Sequence, residues 1–154
     1  MGNKIKVIIF DWGRTLYDPE TDGLFVGVAE LVPELAKYYS LVLVSLAKND
    51  SPEERRRKIE ESGIAKHFKL VLVGGEDKDE MYEKVLKELA VTPENIVVVD
   101  DRMLRGIAWG NRRGARTVWL RKGKFSDELP TEETGHPTFT VSDITEVKNL
   151  LPPR

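Results

Sequence analysis

Short apolar segments alternate with amphipathic helices along the chain, and this alternation constrains the fold more than any other feature. The predicted strands cover residues 4–10, 41–46, 70–73, 96–99, 117–120 and 137–141, and the predicted helices cover residues 27–39, 52–62, 79–90, 104–113 and 143–151. The strands are mostly apolar on consecutive positions, which is typical of strands buried on both faces. The sequence therefore predicts an α/β fold: one three-layer α/β/α domain over residues 1–154 with a mainly parallel sheet.

The composition supports a folded core and limits the possible metal ligands. Of the 154 residues, 40% are hydrophobic and 32% are charged, which leaves enough apolar material for a core. The chain has no cysteine and two histidines, so a thiolate or multi-histidine metal site is excluded and a bound metal must take oxygen ligands. High charge without Cys or Gln is also typical of thermophile proteins.

The longest apolar stretches are far shorter than the ~20 residues needed to cross a bilayer. The N-terminal residues pass directly into a predicted strand, without the apolar region of a signal peptide. We therefore expect a cytoplasmic protein with no membrane partner.

Polar side chains stand where the predicted strands end. Asp11 directly follows the first strand, and Ser45 lies near the end of the second. Asp100 and Asp101 follow the fourth strand, and Lys78 precedes a helix. Because the carboxyl ends of parallel strands share one edge of the sheet, these side chains are expected to converge. Clustered carboxylates without softer ligands favour Mg²⁺, and a lysine beside that cation would complete a phosphate site.

The order of these residues resembles the motifs of the haloacid dehalogenase (HAD) superfamily. Residues 8–16, Ile-Ile-Phe-Asp-Trp-Gly-Arg-Thr-Leu, resemble the first motif, whose leading aspartate is the nucleophile of the family's phosphatases. Residues 42–45 resemble the second motif, Lys78 the third, and residues 97–101 the acidic fourth. All four occur in order, and the resemblance implies a Rossmann-like core.

The resemblance also implies a magnesium-dependent phosphatase that forms an aspartyl-phosphate on Asp11, with Ser45 and Lys78 holding the phosphoryl group. Asp101 would act either as a water-mediated ligand or as an anchor for the metal shell or Lys78. The resemblance also implies which residues bind the metal and which bind the substrate. The metal ligands are Asp11, the Gly13 carbonyl, Asp100 and Asp101, and the substrate-binding residues are Trp12, Gly13, Ser45 and Lys78.

Gly13 departs from the family's usual pattern. Phosphatases of the family usually carry a second aspartate at this position, which protonates the leaving group and then activates water. Some members with glycine there resemble phosphatases, and the dehalogenase and phosphonatase branches also lack this aspartate. Two functions therefore stay open: a phosphatase without this acid, and a catalytically degenerate protein that binds phosphate or a protein or nucleic-acid partner.

The lengths between motifs leave no room for an inserted cap domain. Residues 16–44 and 46–77 are largely occupied by predicted core elements. This disfavours dehalogenase and phosphonatase activity, and it predicts an open site suited to macromolecular substrates or to a lid supplied by another subunit.

Basic residues are unevenly distributed. Residues 102–124 carry eight basic side chains and no acid, which keeps a nucleic-acid partner as an alternative, although pairing with acids elsewhere is the simpler interpretation. Residues 55–58 are interpreted as an exposed helix face that forms salt bridges.

Overall fold

A computed structural model describes residues 4–151, and all structural statements below concern these residues. The strands are β1 (Val7–Phe10), β2 (Tyr17–Asp18), β3 (Gly23–Leu24), β4 (Ser40–Leu46), β5 (Phe68–Gly74), β6 (Ile96–Asp100), β7 (Arg116–Leu120) and β8 (Phe139–Val141). The α-helices are α1 (Val28–Ala36), α2 (Pro52–Glu61), α3 (Lys78–Leu89) and α4 (Ala108–Arg113). None of the helices in this part of the chain is long and apolar enough to cross a membrane.

Six strands form one sheet in the order β5-β4-β1-β6-β7-β8, and every neighbouring pair is parallel. Strand β1 lies between β4 and β6, and Phe10 pairs with Leu43 on one side and Val99 on the other. The carboxyl ends of these three strands therefore lie side by side. The predicted α/β class and parallel sheet are confirmed.

Apolar side chains pack on both faces of the sheet. Along β1, Ile8 and Phe10 belong to one buried cluster with α1 and α2, whereas Val7 and Ile9 belong to another with α3 and α4. Alternate residues of one strand point to opposite faces, so an uninterrupted apolar strand supplies both clusters. The sheet is thereby held between two helical layers and its polar edge is placed above a rigid core.

The structure differs from the sequence prediction in three elements. Strands β2 and β3 form an antiparallel hairpin that was not predicted, since two-residue strands are too short to give a periodic pattern. The predicted helix over residues 104–113 is instead an irregular π-type turn, Met103–Ile107, followed by α4, because Arg105 has a non-helical backbone (φ −116°, ψ −105°). The last predicted helix is a 3₁₀ segment, Ile144–Asn149, capped by Asp143.

The α1 prediction was correct in kind and wrong in extent. The helix ends at Ala36 rather than near residue 39, and Pro33 lies in its second turn. A proline there cannot donate the backbone hydrogen bond to the residue four positions earlier, which weakens the helix.

The segments between the motifs hold few elements. Hairpin β2–β3 and α1 occupy the chain between β1 and β4, while α2, a short turn and β5 occupy the chain between β4 and α3. Within these segments the described residues form no additional folded unit, and the edge of the sheet beside Asp11 opens into a cavity.

Candidate active site

Three buried aspartates meet at the carboxyl edge of the sheet. Asp11 follows β1, Asp100 is the last residue of β6 and Asp101 comes next in the chain. One carboxylate oxygen from each lies within 4.8 Å of the other two. The exposed fractions of the residues are 8% for Asp11, 0% for Asp100 and 2% for Asp101, so little water screens their mutual repulsion.

Lys78 lies among these carboxylates. Its ammonium nitrogen, Nζ, is 2.9 Å from Oδ1 of Asp11 and 2.9 Å from Oδ2 of Asp100. The residue is 5% exposed and begins α3, with Asp77 as the N-cap. An ammonium group has three N–H donors, so one remains for a ligand oxygen. Lys78 is therefore a buried residue of the site and not a solvated surface lysine.

Asp11 and Asp100, the two carboxylates that pair with Lys78, also accept hydrogen bonds from residues close to them in the sequence. The Thr15 hydroxyl donates to Oδ2 of Asp11 at 3.0 Å, and Lys78 donates to its other oxygen. The backbone N–H of Gly106 donates to Oδ2 of Asp100 at 2.8 Å. A Cβ atom on Gly106 would lie 2.5 Å from that same carboxylate oxygen, so a glycine is required where the irregular turn passes Asp100.

Burial and charge set the protonation of the cluster. Burial raises the pKa of Asp11 above its usual value, against the opposing effect of Lys78. Burial acts in the same direction on Asp100, but Lys78 and the N–H groups of Gly106 and Arg102 outweigh it and lower the pKa. Burial would lower the pKa of Lys78, but Asp100 and Asp11 outweigh it and keep the ammonium charged.

Asp101 is the carboxylate that the protein leaves least compensated. Burial, followed by repulsion from Asp11 and Asp100, raises its pKa to about 9. Its buried Oδ2 has no hydrogen-bond partner. Hard divalent cations bind groups of carboxylate oxygens, and here a carboxylate oxygen without a hydrogen-bond partner lies beside two other carboxylates. These residues therefore fit Mg²⁺.

Ser45 is connected to the site through an arginine. Its hydroxyl is fully buried and accepts a hydrogen bond from Nη1 of Arg55 at 2.5 Å. Arg55 is itself held by a salt bridge to Asp50 of 2.8 Å. The hydroxyl acts as an acceptor in this contact, and its own proton is left to donate to a ligand.

A cavity of about 230 Å³ opens over Asp11. Gly13 and Asp101 also line it, together with Arg55. The side chain of Trp12 instead lines a neighbouring cavity of about 400 Å³ and stacks on Tyr17 at 5.4 Å between ring centroids. The structure thus brings together Asp11, Asp100, Asp101 and Lys78. Gly13 lines the cavity with Asp11 and Asp101, and Trp12 lines the neighbouring one. The buried residues Asp100, Lys78 and Ser45 are not part of the cavity lining.

Sequence reasoning missed Arg55, Thr15 and Gly106. Residues 55–58 were interpreted as one exposed, salt-bridged face, and this is wrong for Arg55, which is partly buried and reaches the cavity. The four-residue spacing from Asp11 could have indicated Thr15 as a local donor. For Arg55 no sequence signal distinguishes it from the neighbouring arginines, because its contacts with Ser45 and Asp50 form only in the folded chain.

Comparison with known protein sequences gives related phosphatases. A family model described as HAD-hydrolase-like matches residues 73–147. The chain is 28% identical over 109 residues to phosphoserine phosphatase from Thermus thermophilus, covering 68% of this chain and 42% of that protein. It is 30% identical over 130 residues to N-acylneuraminate-9-phosphatase from Rattus norvegicus, covering 80% of this chain and 50% of that protein. The chain thus spans about half the length of these relatives.

Solved structures give the same fold at low identity. A HAD-hydrolase from Bacillus subtilis bound to magnesium aligns with a TM-score of 0.82 and 13% identity, over 98% of this chain and 100% of that chain. An L-2-haloacid dehalogenase from Xanthobacter autotrophicus aligns with a TM-score of 0.76 and 14% identity, over 95% and 98% of the two chains. Over residues 73–147 and by its sequence relatives this chain is similar to the HAD-like hydrolases, and it shares the fold of their solved structures.

Proposed function

We propose that this protein is a magnesium-dependent phosphatase that hydrolyses phosphate monoesters through an aspartyl-phosphate on Asp11. The observation that carries the proposal is the triad of buried aspartates, two of which Lys78 bridges, at a cavity lined by six basic side chains. The sequence relatives are named as phosphatases, which supports this class of reaction over dehalogenation.

In the first step a carboxylate oxygen of Asp11 attacks the phosphorus of the substrate. A bond forms between this oxygen and phosphorus while the bond between phosphorus and the leaving oxygen breaks, and the leaving group departs with the electron pair. Lys78 and Thr15 each donate to one oxygen of Asp11, which fixes the plane of the carboxylate for the attack.

In the second step water attacks the phosphorus of the acyl phosphate. The bond between phosphorus and the Asp11 oxygen breaks, inorganic phosphate is released and the carboxylate is restored. The third N–H of Lys78 and the Ser45 hydroxyl are the donors proposed to hold the phosphoryl oxygens during both steps. Arg55 keeps Ser45 oriented for this role.

The proposed metal ligands are Asp11, Asp100, Asp101 and the Gly13 carbonyl. A bound Mg²⁺ would supply positive charge that neutralises the phosphoryl oxygens and stabilises the ionised carboxylates. The orphaned oxygen of Asp101 and the raised pKa values of Asp11 and Asp101 support a cation at this position.

The test is hydrolysis of p-nitrophenyl phosphate with and without Mg²⁺ by the wild type and by Asp11→Asn. The wild type is expected to be active only with the metal, and the variant to be inactive with an unchanged circular dichroism spectrum, because an amide cannot form an acyl phosphate. Lys78 keeps Asp100 as a partner in the variant, which favours a preserved fold. Turnover by folded Asp11→Asn would exclude the covalent mechanism.

A further inference from the structure

The mouth of the cavity over Asp11 carries more positive charge than one phosphoryl group needs. Six basic and two acidic side chains line it. Two of the basic residues are already paired, Arg55 with Asp50 and Arg102 with Glu128. The other four form no ion pair with any acid in the described part of the chain: Arg14, Lys48, Arg105 and Lys124.

These four cations come from four separate segments. Arg14 follows β1, Lys48 follows β4, Arg105 follows β6 and Lys124 follows β7. Solvated charges on the face of one helix would all come from a single segment. These four instead follow the ends of different strands, where a parallel sheet binds its ligands. The fold therefore gathers the four side chains around one opening.

The backbone conformation of Arg14 supports a binding role for its side chain. Its φ is 65°, in the left-handed region that glycine adopts freely and that a residue with a Cβ atom disfavours. Its N–H donates to the carbonyl of Tyr17 at 2.7 Å, so the conformation belongs to a fixed turn. A cationic side chain stands at a position where glycine would fit the backbone better, which indicates a role for the guanidinium.

The rest of the basic stretch, residues 102–124, does not line the cavity, and two of its arginines are paired with acids. Arg112 pairs with Asp79 and Arg113 pairs with Glu83, both on the α3 side of the sheet. Within this stretch only Arg102, Arg105 and Lys124 line the cavity. This arrangement suits a small, highly charged molecule better than an extended polymer.

We propose that the substrate carries a second anionic group, a phosphate or a carboxylate, a short distance from the phosphoryl group that Asp11 attacks. This inference rests on the proposed function, because it takes the transferred phosphoryl to lie at Asp11. A phosphoryl group bears about two negative charges near neutral pH, and Lys78 already contributes a cation to it. The four unpaired cations at the mouth then bind the second anion.

Two phosphonates of matched size test the proposal by calorimetry in the presence of Mg²⁺. Phosphonopropionate has a carboxylate where propylphosphonate has a methyl group, and neither is hydrolysed. Phosphonopropionate is expected to bind about tenfold more tightly to the wild type. The ratio of the two dissociation constants is expected to fall towards one in Arg14→Gly and to decrease in Arg105→Gln.

Two control variants separate charge from backbone effects. Arg116→Gln removes an exposed cation outside the cavity, and Ala90→Gly relieves another left-handed backbone at the end of α3 without changing charge. Both are expected to keep the wild-type ratio. Arg14→Gly is expected to melt no lower than the wild type, so a lost preference cannot be assigned to unfolding.

Equal affinity of the wild type for the two phosphonates, or a preference that persists unchanged in Arg14→Gly and Arg105→Gln, would overturn the proposal. Tighter binding of a 5′-phosphorylated oligonucleotide than of phosphonopropionate would also overturn it, in favour of a polymer. A preference for phosphonopropionate in a protein that hydrolyses neither p-nitrophenyl phosphate nor an aryl phosphate carrying a carboxylate would support the second-anion site while refuting the phosphatase assignment.

Discussion

Among single residues, the proposed chemistry depends most on a glycine. Gly13 stands where the family's phosphatases usually carry the aspartate that protonates the leaving group. Its backbone does not need glycine's conformational freedom, and a Cβ atom there would meet no other atom within 4 Å. The absence of a side chain at this position is therefore not imposed by packing.

Without a positioned acid, the leaving group's own pKa should control the first step. We expect aryl and acyl phosphates to be hydrolysed far faster than alkyl phosphates. Gly13→Asp should raise the rate on alkyl esters selectively, towards the ~10²–10⁴-fold contribution of a general acid. Rates for a series of esters with graded leaving-group pKa, measured on both proteins, test this expectation.

Gly13→Ala is the matched control, since it fills the same space without an acid and should leave the leaving-group dependence steep. A flat dependence in the wild type, with chemistry rate-limiting, would mean that another residue already protonates the leaving group.

Asp101 gives a second prediction for a single residue. In the metal-free protein its buried Oδ2 has no partner, and burial beside Asp11 and Asp100 raises its pKa to about 9, so folding near neutral pH requires this carboxylate to take up a proton at a cost in stability. Asp101→Asn should therefore raise the melting temperature without Mg²⁺ and reduce the increase that Mg²⁺ produces. Differential scanning calorimetry at several metal concentrations measures both effects. A lower melting temperature without metal would show that the carboxylate stabilises the fold.

Among the elements, the irregular turn Met103–Ile107 positions the site most directly. It carries the backbone N–H of Gly106 to Asp100 and sends Arg105 to the cavity. The turn departs from a regular helix at Arg105, next to the glycine that must approach Asp100 closely.

Gly106→Ala should displace Asp100, because the added Cβ would lie 2.5 Å from its carboxylate oxygen and from the Tyr82 hydroxyl. We expect at least a tenfold loss of Mg²⁺ affinity and a loss of stability of about 1–3 kcal/mol. Isothermal titration and urea unfolding measure the two quantities. Gly75→Ala is the control, since its nearest contact would be an ordinary 3.7 Å. Unchanged metal affinity in Gly106→Ala would show that the turn does not position Asp100 for metal binding.

Some of the elements could be predicted from the sequence and others could not. Uninterrupted apolar strands predicted the parallel sheet correctly, because burial on both faces imposes that composition. The predicted start of α2 at residue 52 is also correct, for an equally local reason: the Ser51 side chain caps the helix and a proline suits its first position. Hairpin β2–β3 and the break at Arg105 depend on contacts with the rest of the fold, and no local pattern encodes them. The approach of Lys78 to both Asp11 and Asp100 likewise depends on how α3 packs against the sheet.

At the scale of the whole molecule, the parallel sheet converts separated stretches of sequence into one site. Asp11, Lys78 and Asp100 are brought within hydrogen-bonding range across a span of about ninety residues. The same geometry collects the cations at the cavity mouth from four strand ends. The carboxyl edge of the sheet therefore carries the proposed nucleophile, the proposed metal ligands and the proposed second-anion site. These roles are predictions for experiment.

Trapping the acyl phosphate tests the central proposal most directly. The lack of an acid at Gly13 should also slow water attack, so the intermediate should accumulate during turnover of an aryl phosphate with Mg²⁺. Rapid acid quenching followed by borohydride reduction converts an aspartyl-phosphate to homoserine, which peptide mass spectrometry locates. We predict this conversion at Asp11 alone and its absence in Asp11→Asn. Hydrolysis under single-turnover conditions with no modified Asp11, or with the label on another residue, would contradict the account.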